Sequence, residues 1–196
     1  MLDNIFEIIF LVGLITYLFG VYAPSVRRYK RSRIADNRMR RQDFLLDLIT
    51  YAGWQLIPLI YVFTSWLDVA NYHLPVWAGW VGVVIFAAAL LILWRSYADL
   101  GRNWSPTLQI QENHSLVTQG IYHYIRHPIY AALWLWCFAQ PLLLQNWIAG
   151  LSLLVVFPFL YVLRVPREEQ MMRETFGEEY QSYVEKTGRV IPRLWK

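Results

Sequence analysis

Three uninterrupted apolar stretches, Leu2 to Tyr22, Phe44 to Trp66 and Leu74 to Arg95, constrain this chain more than anything else in it. Each is roughly 20 residues, which as helix is about 30 Å, the thickness of a bilayer's hydrocarbon core. Backbone in lipid must satisfy its own N–H and C=O groups, so segments of this kind cross as helices. A fourth apolar stretch, Ile129 to Leu163, is too long for one crossing, and Gln140-Pro141 with Gln145-Asn146 interrupts it near the middle. It is expected to fold as a tight helical hairpin whose arms are near the short limit for spanning, which gives about five spans, with a partly re-entrant hairpin as the alternative. Composition agrees, at 57% hydrophobic and only 16% charged residues. The expected fold class is an all-α polytopic membrane bundle. No Gly/Ser or Pro-rich linker divides it, so 1–196 reads as one domain, with three N-terminal spans in 1–97 and a loop, hairpin and C-terminal helix in 98–196.

Charge sets the expected orientation. Arg27-Arg28-Tyr29-Lys30-Arg31-Ser32-Arg33, then Arg38, Arg40 and Arg41, lie between the first two spans, whereas Leu67 to His73 carries no Lys or Arg. The positive-inside rule puts the basic loop in the cytoplasm and the N-terminus outside, with a retained first span rather than a cleaved leader. Such a run between spans is a topology signal with affinity for anionic lipid, not a nucleic-acid site. Trp66, Tyr72 and Trp77 would form the outer aromatic belt, and Trp94, Tyr97 and Trp104 the inner one. Asn113-His114-Ser115 fits a glycosylation acceptor but faces the wrong side for that use. Cys137, the single cysteine, excludes a disulfide framework and a C-x-x-C pair.

Two polar clusters bracket the hairpin: Gly120 to Tyr130, containing Arg126-His127-Pro128-Ile129-Tyr130, and Arg164 to Glu169, followed by Phe176-Gly177-Glu178-Glu179-Tyr180. The hairpin brings them together, and polar groups gathered at a membrane surface are costly to desolvate, which argues for a ligand. Beyond Val165-Pro166, Met172, Phe176, Tyr180 and Val184 recur every four residues, the stripe of an amphipathic helix packed beneath the bundle or on the membrane surface. His123 and His127 are four apart, but Arg126 and Pro128 interrupt them and no third ligand has a recognised spacing, so no metal is expected. Arg164 and Glu168 have the spacing of a helical ion pair. Asp47 and Gln55 are intramembrane polar groups left unassigned.

At these residues the chain resembles the isoprenylcysteine carboxyl methyltransferase family, related to phospholipid N-methyltransferases. The carriers are His114-Ser115-Leu116-Val117, Gly120-Ile121-Tyr122, Arg126 to Tyr130, Arg164 with Glu168-Glu169, Phe176 to Tyr183, and Thr187-Gly188-Arg189-Val190-Ile191-Pro192. The resemblance covers roughly Gln111 to Pro192. It implies S-adenosylmethionine (SAM) as methyl donor, S-adenosylhomocysteine (SAH) as product, and the carboxylate of a prenylated cysteine or similar lipid-linked acceptor as substrate. It places Gln111, His114, Ser115, Leu116, Val117, Tyr122, His127, Pro128, Ile129 and Tyr130 around the cofactor with Glu168 closing over it, and directs Arg164 at the acceptor. The site is then cytoplasmic, in a cell membrane or endoplasmic reticulum, with SAM entering from water and the lipid sideways from the bilayer. Membrane lipids are the remaining expected partners, without an obligate protein.

Two departures stand out. Ala131-Ala132 follows the Arg-His-Pro-x-Tyr block where the family often has x-Gly, and the Gln111 to His114 loop is short. The absence of G-x-G-x-x-G rules against a soluble Rossmann-type methyltransferase. Competing readings are a phospholipid N-methyltransferase, a nicotinamide-dependent sterol-type reductase, which predicts more Arg or Lys near Tyr122 to Tyr130, and a non-enzymatic scaffold.

Overall fold

The computed structural model describes residues 5–30, 34–107, 109–111 and 115–193. Five apolar helices make the bundle: α1 (Ile5–Tyr29), α2 (Arg41–Phe63), α3 (Val76–Leu100), α4 (Pro128–Leu144) and α5 (Trp147–Lys186). Four are long and apolar enough to cross a membrane; α4 is the shorter arm. At about 1.5 Å per residue α4 is roughly 26 Å long and the part of α5 before its kink at Gly177 about 45 Å, longer than the hydrocarbon core.

In lipid, packing rests on close van der Waals contact rather than on hydrophobic transfer, and small residues permit it. Gly13 abuts Phe86 and Gly79 abuts Phe6, joining α1 to α3. A Cβ on Gly53 would lie 2.8 Å from the Ser152 carbonyl of α5, and one on Gly150 2.8 Å from Pro141 of α4. Trp136 of α4 is fully buried at the centre of the bundle. Its ring meets Phe10 and Tyr17 of α1, Trp54 of α2 and Phe86 of α3 edge-on, with centroids 4.6 to 6.2 Å apart. Such edge-to-face pairs contribute about 0.5 to 1.5 kcal/mol each beyond area burial.

Of the two interruptions expected near the middle of the apolar stretch, the hairpin turns at Gln145-Asn146. Gln145 takes a left-handed conformation, and the Asn146 side chain caps α5 by accepting from the Ile148 and Ala149 amides. Pro141 stays inside the last turns of α4, its carbonyl accepting from the Gln145 amide and the Tyr72 hydroxyl. Gln140 is buried and donates to the Gly53 and Ala149 carbonyls, so it serves helix contacts rather than breaking the helix. At this end the turn meets the loop after α2: Asn146 donates to the Leu67 carbonyl and Gln145 accepts from the Leu74 amide.

The amphipathic segment continues α5 through Pro166, and the helix breaks at Gly177, whose φ of 53° and ψ of −123° suit glycine alone, before the last turns that carry Tyr180 and Tyr183. Two short strands, β1 (Ile34–Asn37) and β2 (Gln109–Gln111), pair antiparallel and add a small sheet to the helical fold. α1 and α2 each contain a π-helical stretch, Thr16–Tyr22 and Ala52–Leu56, and in both a proline, Pro24 or Pro58, follows two residues later. A proline lacks the N–H for the i−4 carbonyl, and widening the preceding turn re-registers the ladder.

Candidate functional site

At the end of the bundle opposite Gln145 lies a cavity of about 800 Å³. Both π stretches open onto it, through Tyr17, Leu18 and Tyr22 on one side and Trp54 and Gln55 on the other. Tyr97 and Trp104 are buried in its wall, ring centroids 5.1 Å apart, so they are cavity residues rather than members of the inner aromatic belt. Trp66, Trp77 and Trp94 are exposed, as a belt requires.

The start of α4 forms one wall. Pro128 occupies the first turn, His127 precedes it, and no side chain caps the helix, so its N-terminal amides are free to face a ligand. Tyr122, His127, Pro128, Ile129 and Tyr130 line the cavity together with Ser115, Leu116 and Val117. Ser115 is tied to Asn103 by two hydrogen bonds of 3.2 Å. Gln111 lies on β2 opposite Ile34. His114 lies outside the described residues. Tyr122 is deeply buried, and burial pushes its hydroxyl well above the ordinary range, so it stays neutral.

α5 forms the opposite wall with Leu160, Arg164, Glu168, Met171, Met172, Tyr180 and Tyr183. Of the amphipathic stripe, expected beneath the bundle or on the membrane surface, Met172 and Tyr180 line the cavity. The Tyr130 hydroxyl donates to Glu168 Oε1 at 2.6 Å, and Arg164 Nε donates to the same oxygen at 3.1 Å. Arg164 also bonds Asp47 of α2 through Nη1 and the Pro106 carbonyl through Nη2 at 3.0 Å. Arg164 and Glu168 do pair, and the pair is part of a four-residue array that faces the cavity.

Beneath this array Glu169 joins three segments. It accepts from Arg126 at 3.3 Å and from Arg189 at 2.7 and 3.0 Å. Its hydrogen bonds hold the Arg189 guanidinium charged, raising its already high pKa. Arg126 also reaches the Thr187 carbonyl, and the Arg126 and His127 amides each donate at 2.9 Å to residues 188 and 189. The C-terminal segment thereby fixes the loop that leads into α4. Sequence reading passed over Asp47, Arg126 and Glu169 as site residues. The one signal for Asp47 was its charge within an apolar span.

Among the described residues, two polar atoms at the cavity wall, Trp54 Nε1 and Thr107 Oγ1, are buried without a hydrogen bond, and His127 Nε2 has only Glu169 Oε1 at 3.4 Å. Buried donors and acceptors are nearly always satisfied, so a group of them around one cavity points to a polar ligand. Carboxylate, helix N-terminus, neutral tyrosines and orphaned donors form a set suited to a zwitterionic, cationic, hydroxyl-bearing molecule.

Comparison with known proteins bears on the same region. Residues 80–174 match the model of the isoprenylcysteine carboxyl methyltransferase (ICMT) family. The chain is 30% identical over 112 residues to protein-S-isoprenylcysteine O-methyltransferase A of Arabidopsis thaliana, covering 57% of this chain and 54% of that protein. It is 23% identical to the Dictyostelium discoideum protein-S-isoprenylcysteine O-methyltransferase over 95% of this chain and 77% of the relative. The chain thus spans about half the length of the Arabidopsis relative. A solved structure of the eukaryotic intramembrane Ras methyltransferase ICMT is similar in fold, with a TM-score of 0.50, 21% identity, and coverage of 81% of this chain and 54% of that one. The match takes in α4, the entry to it and α5 as far as Glu174, and over these residues the chain is similar to the isoprenylcysteine carboxyl methyltransferase family.

Proposed function

We propose that this integral membrane protein is a SAM-dependent carboxyl methyltransferase acting as one membrane domain on a prenylated cysteine or a similar lipid-linked carboxylate, at the cytoplasmic face. The observation that carries the reading is the cavity wall itself: the N-terminus of α4 and the Tyr130–Glu168–Arg164 array line one cavity, with unpartnered polar atoms of Trp54 and Thr107 around it. When bound, SAM supplies a methyl group activated by a positively charged sulfur. The acceptor carboxylate is already anionic at neutral pH, so the protein has to align it rather than deprotonate it. Arg164 is suited to hold one carboxylate oxygen and leave the other free to attack. Glu168, oriented by Tyr130, offers a counter-charge for the donor, and the faces of Tyr122 and Tyr180 add cation–π attraction of roughly 0.5 to 2 kcal/mol. The α4 amides, His127 and Ser115 to Val117 are suited to a carboxylate or ribose oxygen, and Gln111 and His114 are assigned to the cofactor by the resemblance alone.

The test is calorimetry of the purified chain with SAH and with a reduced nicotinamide dinucleotide, followed by radiolabelled methyl transfer to N-acetyl-S-farnesylcysteine or to phosphatidylethanolamine. Binding of SAH and a labelled farnesylcysteine ester are expected. No heat with SAH overturns the reading, and label in phosphatidylethanolamine alone replaces it with N-methylation.

A further inference from the structure

Each of the three guanidinium nitrogens of Arg164 already donates a hydrogen bond, and the three acceptors are not equivalent. Glu168 is committed as well to the Tyr130 hydroxyl. The Pro106 oxygen is backbone. Asp47 is the most exposed of the side chains, 32% against 23% for Glu168 and 8% for Arg164. One positive charge therefore stands between two carboxylates, and a third carboxylate cannot approach it without repulsion of several kcal/mol at low effective dielectric.

Resting on the reading of Arg164 as the acceptor site, we propose that Asp47 is a positioning residue that holds on Arg164 the place an acceptor carboxylate needs, and that anionic acceptors are admitted by exchange with it. Neighbouring contacts permit the exchange without moving a helix. One turn before Asp47, the buried Asp43 bonds Arg167 of α5 and accepts from the Arg40 amide at 2.8 Å, so α2 stays fastened to α5 while the Asp47 side chain rotates into the cavity. The exchange also sets specificity. A carboxylate restores what Asp47 gives up on Arg164, whereas a neutral or cationic headgroup leaves the buried guanidinium short of a partner, a costly state.

The experiment titrates the full chain in phosphatidylcholine nanodiscs with S-farnesylthioacetate, which carries a carboxylate, and with farnesol, which does not. In Asp47→Asn the farnesyl carboxylate should bind about three- to fivefold tighter, the size of one partly exposed competing ion pair. Farnesol should not gain, and Asp47→Glu should return toward wild type. In turnover, KM for the carboxylate acceptor falls without a matching rise in kcat. Asp47→Ser gives a second reading if the Asn variant has a lowered melting temperature. Unchanged or weaker carboxylate binding in both variants overturns the exchange. Because this titration needs no methyl donor, a wild-type chain that fails to transfer methyl while showing the Asp47 effect overturns the methyltransferase reading alone.

Discussion

Glu169 is almost wholly buried, yet it is bonded by Arg126 from one side and Arg189 from the other. Removing one member of a buried ion network leaves the others uncompensated, so Glu169→Ala should cost about 3 to 5 kcal/mol of stability. A lowered melting temperature together with proteolysis near residues 187–189 checks this. Tyr130→Phe deletes only a hydroxyl that bonds a carboxylate; a charge-assisted hydrogen bond is worth about 1.5 to 3 kcal/mol, so SAH affinity should fall roughly tenfold with little change in melting temperature. Arg164→Ala should raise KM for the lipid acceptor and lower turnover; no change in either removes its assigned role. These residues were unequally legible. Tyr130, Glu168 and Arg164 announced themselves as polar types flanking an apolar hairpin. Asp47 stood out only as a charge within an apolar span and Arg126 only as part of the Arg126 to Tyr130 block, because their partners lie 117 and 43 residues away, and no local pattern records such a pairing.

Helices were read well where hydropathy alone decides, since the cost of unsatisfied backbone in lipid leaves few alternatives. Their irregularities were not. Pro24 and Pro58 widen α1 and α2 into π turns that border the cavity, whereas Pro141 and Pro166 pass through their helices without ending them. Whether a proline bulges or merely sits depends on who satisfies the freed carbonyl, which is a property of the packed neighbours. The β1–β2 pair escaped notice for a related reason, being short strands whose paired residues, Ile34 with Gln111 and Asn37 with Gln109, are far apart in sequence. Gly177 supplies a direct test. Alanine in its backbone conformation is strained by roughly 1 to 3 kcal/mol, so Gly177→Ala should straighten or loosen the last turns of α5. Those turns carry Tyr180 and Tyr183, the latter donating to the Tyr122 carbonyl at 2.6 Å, so weaker SAH binding with the membrane core intact is the expected result.

For the molecule as a whole, the two ends differ in chemistry: one gathers Arg27, Arg28, Arg40, Arg41 and the cavity, the other Trp66, Asp68 and the Gln145 turn. Membrane-impermeant maleimide should therefore label Val69→Cys in intact cells and Arg102→Cys only after permeabilisation; the reverse pattern overturns the proposed orientation. Cys137 is fully buried and should stay silent in both. The clasp of residues 187–189 on residues 124–127 has a further consequence for how the protein is made. Arg126 finds its Thr187 partner 61 positions later, about 3 to 12 s of synthesis at 5–20 residues per second. During that interval the growing chain carries a guanidinium at the membrane surface, first without Glu169, 43 positions on, and then without Thr187, so this wall of the cavity is completed last.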